Sequence, residues 1–195
     1  MHRRLSTTLA LACAGTTLAA GAASLTAPAT AAEDEAARVH VVQVEDDCHA
    51  RSFNRAVGPG TCVGDGQTRF AEAIAQLRDD GAAGKWQFSP NRFTATGGDS
   101  LRVRGLGGEF HTFTPVARFG GGCVPFLNRV LRLRPVTECT DLVRLPDGSR
   151  IPRGFVETAV PPRGRLVMRD LRVGRHRFQC LVHPWMHTTL TVERR

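Results

Sequence analysis

Phe178-Gln179-Cys180-Leu181-Val182-His183-Pro184-Trp185-Met186 decides the reading of this 195-residue chain. Just before it, Arg175 to Cys180 alternates with the period of two that marks a strand. The strand then runs into a loop, because Pro184 forbids a helix and pushes His183 towards extended backbone. A thiol, an imidazole and a thioether therefore stand at C-x2-H-x2-M spacing on one loop able to wrap a single ion. Thiolate, imidazole and a weak thioether suit copper better than other common metals.

Such a site needs a second imidazole. His176 is four residues from Cys180 along one strand, about 13 Å at about 3.3 Å per residue, too far to share an ion. His187 follows Met186 directly and points the other way, while His40 and His49 lie near the N-terminus. His111 remains, in Gly107-Gly108-Glu109-Phe110-His111-Thr112-Phe113-Thr114, on what reads as a neighbouring strand end.

The cysteine count leads to the same thiol. Residues 1–32 contain no acidic residue, begin with Arg3 and Arg4, continue through a modest apolar run and end in Ala29-Thr30-Ala31-Ala32. A basic start, an apolar stretch and a small-residue site make an export signal, with cleavage expected near Ala31 or Ala32. The run is too rich in Ala, Gly and Thr to span a membrane, and Ala10-Leu11-Ala12 before Cys13 is a poor lipoprotein box. Six cysteines then become five, and an odd number in an exported chain calls for a reactive thiol, an intermolecular bridge or a metal ligand. With Cys180 as ligand, Cys48, Cys62, Cys123 and Cys139 are left, and sequence proximity favours Cys48–Cys62 and Cys123–Cys139 among three possible pairings.

The rest of the mature chain reads as mostly β. Val39 to Val44 is a short strand, and Phe70, Ala73, Ile74 and Leu77 place a helix near residues 68–80, stopped by Gly81. From Trp86 onward short apolar runs recur between turn signals: Leu101 and Val103, Leu131 and Leu133, Phe155 to Val160, Leu166 to Leu171, and Thr188 to Val192. This is the pattern of a β-sandwich or barrel. The expected division is a signal over 1–32, an N-terminal extension over 33–83 with one short helix, and a β domain over 84–195.

Cys180-Leu181-Val182-His183-Pro184-Trp185-Met186, with Glu109-Phe110-His111-Thr112-Phe113 far upstream, resembles the cupredoxin family, most of all its plastocyanin- and amicyanin-like branch with a short ligand loop. The resemblance covers about residues 84–195. It implies an all-β Greek-key sandwich holding one type 1 copper ion, with His111, Cys180, His183 and Met186 as ligands. It also implies a carrier of single electrons, with His183 as the exposed-edge ligand and Trp185 as packing or docking surface. The alternative is an exported copper carrier, or a non-redox interaction module on the same fold. The helix, the Cys48–Cys62 region and the Cys123-to-Cys139 stretch lie outside the small family core, and Thr112 stands where several members place Asn.

Other classes are excluded. Gly98-Asp99-Ser100-Leu101 spells an esterase motif, but no Asp-x-x-His pair follows near the C-terminus and the context is β, so it reads as a turn before a strand. Multicopper enzymes need several such domains and clustered His-x-His pairs. Of 26 basic residues 25 are arginine, against 18 acidic, for a net charge of +8 that falls to +6 without the signal's two arginines. Those on alternating strand positions solvate a sheet face, and too few aromatics interleave with them to stack nucleic-acid bases. The expected partner is a redox protein with an acidic docking surface, met outside the cytoplasm by a monomer with no membrane span after cleavage.

Overall fold

The computed structural model describes residues 36–195, so the expected export signal lies outside the described residues. The chain runs β1 (Val39–Glu45), α1 (Ala50–Ala56), α2 (Phe70–Asp80), β2 (Gln87–Ser89), β3 (Arg92–Thr96), β4 (Ser100–Gly105), β5 (His111–Thr112) and β6 (Thr114–Pro115). It continues through α3 (Pro125–Leu131), β7 (Leu142–Arg144), β8 (Arg150–Pro152), α4 (Gly154–Glu157), β9 (Ala159–Val160), β10 (Arg165–Met168), β11 (Gly174–Gln179) and β12 (His187–Glu193).

Two four-stranded sheets carry the fold, in the orders β10-β4-β1-β2 and β3-β12-β11-β6. Each contains one parallel pair, β1 with β4 and β12 with β3. Alternation decides what lies between them. Val42, Val44, Leu101 and Val103 from the first sheet and Phe178, Leu190 and Val192 from the second are buried, with Phe88 and Phe113, in a single cluster. The protein is an all-β sandwich.

Four differences from the sequence reading have physical reasons. First, the segment expected to be an extension is part of the sandwich. β1 lies between β2 and β4, with Val41 opposite Arg102 and Val44 opposite Phe88, so residue 84 is no boundary. Second, that segment holds two helices. Ser52 on α1 accepts a hydrogen bond from the Phe70 N–H at 3.1 Å and so serves the start of α2. Glu72 accepts from the Arg69 N–H at 2.8 Å, and Gly81 ends α2 in the left-handed region at φ 73°.

Third, Leu131 and Leu133 are not on a strand. Pro125 opens α3, and Leu127, Val130 and Leu131 pack inward at helical spacing. Fourth, Phe155 to Val160 is only partly strand: α4 takes its first residues, and β9 pairs with β5 through Val160 and His111. The sandwich positions the C-terminal end of β11 and the start of β5 side by side, and this juxtaposition makes the site.

Candidate metal centre

His111 opens β5, Cys180 follows β11, and His183 stands three residues further on. Their donor atoms converge. The two Nδ1 atoms are 3.2 Å apart, and each is 3.8 Å from the Cys180 sulfur. A point in the plane of that triangle is about 2.1 Å from all three, a distance at which imidazole nitrogen and thiolate sulfur bind a small divalent ion (about 2.0–2.3 Å). All three residues are buried. Cys180 is the free cysteine among the described residues, the other four being joined as Cys48–Cys62 and Cys123–Cys139.

The ligand loop is closed by its own backbone. The Cys180 N–H donates to the Met186 carbonyl at 3.0 Å, and the Met186 N–H donates to the His183 carbonyl at 2.9 Å. Met186 is fully buried at the closure of the loop. The Cys180 sulfur receives two backbone N–H groups, from His183 at 3.4 Å and Thr112 at 3.5 Å. Thr112 also accepts from the Leu181 N–H through Oγ1 at 2.9 Å, so it ties the strand end to the loop with both side chain and backbone.

Two carboxylates stand behind the imidazoles, and the sequence reading did not select them. His111 donates through Nε2 to Asp46 at 2.9 Å, which leaves Nδ1 to face Cys180. Asp46 is itself held by the N–H groups of Gly108 at 2.9 Å and Glu109 at 3.1 Å. Glu109 Oε2 lies 3.6 Å from His183 Nε2, beyond hydrogen-bond reach, and accepts from Trp86 Nε1 at 2.6 Å. Glu109 stood in the motif that flagged His111, but nothing in the spacing marked Asp46, 65 residues upstream.

The electrostatics follow from this packing. Burial pushes the Cys180 thiol up, and hydrogen bonds and charge from His111 and His183 reverse that, leaving it well below its ordinary value. Burial pushes His111 down, but Asp46 and Cys180 raise it to about 9. Burial likewise opposes ionisation of Asp46, and His111 with the two backbone donors brings it down to about 2. Burial raises Glu109. In the metal-free protein the centre therefore favours a thiolate at Cys180 beside a protonated His111.

Among the described residues no other histidine is grouped with these donors. His176 donates to the Arg172 carbonyl at 2.6 Å, and His187 is exposed and stacks on Phe119 at 4.3 Å. One expectation is corrected. His183 is not an exposed-edge ligand: only 6% of it is accessible, and Trp185 packs against it with ring centroids 5.3 Å apart. The His183 ring instead packs between His111 and Trp185, beside a pocket it shares with residues of α1, α2 and α3.

No family model matches the chain, and no curated protein matches it. Among solved structures, it is similar to a reduced amicyanin mutant, with 11% identity and a TM-score of 0.33 over 55% of this chain and 73% of that one. It is also similar to a purple cupredoxin from Nitrosopumilus maritimus, with 15% identity and a TM-score of 0.35 over 55% and 83%. An oxidized amicyanin mutant is matched over 82% of this chain and 87% of that one, with 11% identity and a TM-score of 0.35. Similarity at this level carries no conclusion about activity, and the geometry of the centre has to carry it.

Proposed function

We propose that the chain holds one copper ion through His111, Cys180, His183 and Met186 and carries single electrons between redox partners outside the cytoplasm. The observation that supports this is the buried triangle of two imidazole nitrogens and one sulfur, with sides of 3.2, 3.8 and 3.8 Å. Copper in such a donor set alternates between its cuprous and cupric states and so accepts or releases one electron.

The chain's own residues do the rest. Asp46 fixes the His111 tautomer and orients the ring, as carboxylates behind metal-bound histidines do. The two N–H groups on the Cys180 sulfur stabilise its thiolate form. Burial of all four side chains excludes water and limits how far they move between states. Export fits the two disulfides. Among the described residues no helix is long and apolar enough to cross a membrane.

Metal analysis with an absorption spectrum of the copper-loaded protein tests this reading. The expected result is one copper per chain, an intense thiolate-to-copper band bleached reversibly by a mild reductant, and loss of that band in Cys180→Ser. A colourless protein that keeps only cuprous copper would retire electron transfer and leave copper carriage. A coloured Cys180→Ser variant would overturn the ligand assignment.

A further inference from the structure

The first sheet carries a basic hollow on the face turned away from the core. This depression of about 440 Å³ is lined by Arg102, Arg104, Arg163 and Arg165, with Gly105 and Gly164 among them, and no carboxylate lines it. All four arginines are exposed. None has a hydrogen bond or ion pair through its guanidinium among the described residues.

Strand pairing explains why the charges gather. Arg102 and Arg104 alternate with the buried Leu101 and Val103 on β4, so both point outward. On β10, Arg165 stands directly opposite Arg104. On β1 the residues opposite Arg102 and Arg104 are Val41 and Gln43, so that neighbour places no acid beside them. Glu45, on the same face of β1, accepts from Gln87 Nε2 at 2.8 Å, on the side away from β4.

Arg163 adds a second observation. The Gly164 N–H donates to the Pro161 carbonyl at 2.8 Å, closing a turn in which Arg163 takes the third position at φ 57°. That position calls for left-handed backbone, which glycine or asparagine supplies at least cost. Here an arginine occupies it, and its side chain lines the hollow. Like charges gathered across a strand pair and a backbone held off its favoured region both oppose folding, and such tension clusters at binding sites. An anion shared by the guanidiniums offsets the repulsion, because their planar forks take oxyanions through paired N–H donors. The two glycines in the lining leave room for a compact group between the four side chains.

We infer that this hollow binds a compact polyvalent oxyanion of the diphosphate class, its oxygens taken up by Arg102, Arg104, Arg163 and Arg165. The metal centre contributes nothing to it, so this inference stands or falls apart from the copper reading.

The test is calorimetric titration of the full chain with inorganic diphosphate in about 0.1 M sodium chloride, where surface charges more than about 10 Å apart are screened. Metal-free and copper-loaded protein are both titrated, and the metal-free arm leaves no copper for diphosphate to chelate. Saturation at one diphosphate per chain is expected in both, with orthophosphate binding at least about tenfold more weakly. Uridine diphosphate carries the same group on an organic substituent: tighter binding than the free ion assigns the hollow to a borne diphosphate, weaker binding to the free one. Arg104→Gln/Arg165→Gln is expected to weaken binding at least about tenfold, and Arg51→Gln/Arg55→Gln, which removes equal charge from α1, less than about threefold. Arg163→Gly is expected to weaken binding about tenfold yet melt no lower than the parent, since glycine accepts the left-handed position freely. Circular dichroism and melting establish that each variant is folded. The inference is overturned if diphosphate does not saturate, if the α1 pair weakens binding as much as the β4–β10 pair, or if Arg163→Gly binds as the parent does. It is equally overturned if polyglutamate binds through the same arginines and diphosphate fails to displace it, which assigns the face to an acidic protein partner.

Discussion

Asp46 and His111 form a buried pair, Oδ2 to Nε2 at 2.9 Å, that joins the end of β1 to the start of β5 and holds the ring's other nitrogen against Cys180. Asp46→Asn keeps the shape and removes the charge. Copper affinity is expected to fall about 10–100-fold, read by competition with a chelator. Stability of the metal-free protein will respond too. The native carboxyl sits at about 2, below its ordinary 3.8, so its contribution is complete above about pH 4 and is lost as pH falls through 2. Denaturant melts should show the parent losing about 2 kcal/mol more than Asp46→Asn over that interval. Parallel acid curves would mean that the pair is structurally idle.

Gly107 and Gly108 explain how Asp46 reaches the ring. A Cβ on Gly107 would overlap the Asp46 carboxylate, and one on Gly108 would overlap the backbone of Gly64. Gly107→Ala is therefore expected to cost about 1–3 kcal/mol and to weaken copper binding along with stability. Gly84→Ala is the control, since nothing lies within 4 Å of the added atom. Thermal melts of the two variants check this, and a Gly107→Ala protein as stable as Gly84→Ala would show that the loop gives way freely.

The sequence marked the strands of the sandwich well, because β1, β4 and β12 each bury every second side chain, whereas β11 buries Phe178 and Gln179 in succession at its end. It marked His111, Cys180, His183 and Met186 because three share one loop and the fourth lacked competitors. It did not mark Asp46, whose partner is set by strand pairing rather than by spacing. It mistook α3 for strand because Arg132 and Arg134 alternate with Leu131 and Leu133 just where the helix ends, in a left-handed Arg132 at φ 54°. Burial of His183 was not readable either, since it depends on how the ligand loop packs Trp185 and His111 around the ring rather than on spacing.

Cys123–Cys139 ties the segment around α3 to the ligand loop, for the Cys123 N–H donates to the Leu181 carbonyl at 2.6 Å. Closing a loop of 16 residues is worth about 3 kcal/mol in the chain-entropy account. The double variant Cys123→Ser/Cys139→Ser is expected to melt about 6–12 °C lower. Its copper should also leave faster, because Leu181 adjoins Cys180. Stopped-flow transfer to a chelator checks the second effect, and unchanged release would confine the disulfide to stability.

On the outer face of the first sheet, Arg104 of β4 stands directly opposite Arg165 of β10. Both are exposed, and Arg102 and Arg163 border the same depression. Like charges facing each other across a strand pair oppose folding, and salt screens that opposition. Arg165→Thr keeps a β-favouring residue and removes one charge. It is expected to raise Tm by about 1–2 °C at low ionic strength and by less as salt is added. The parent's own Tm should rise with salt over the same range, and the two curves should converge. If Arg165→Thr is instead less stable at every salt concentration, the aliphatic stem of Arg165 contributes more by packing on the sheet than its charge costs.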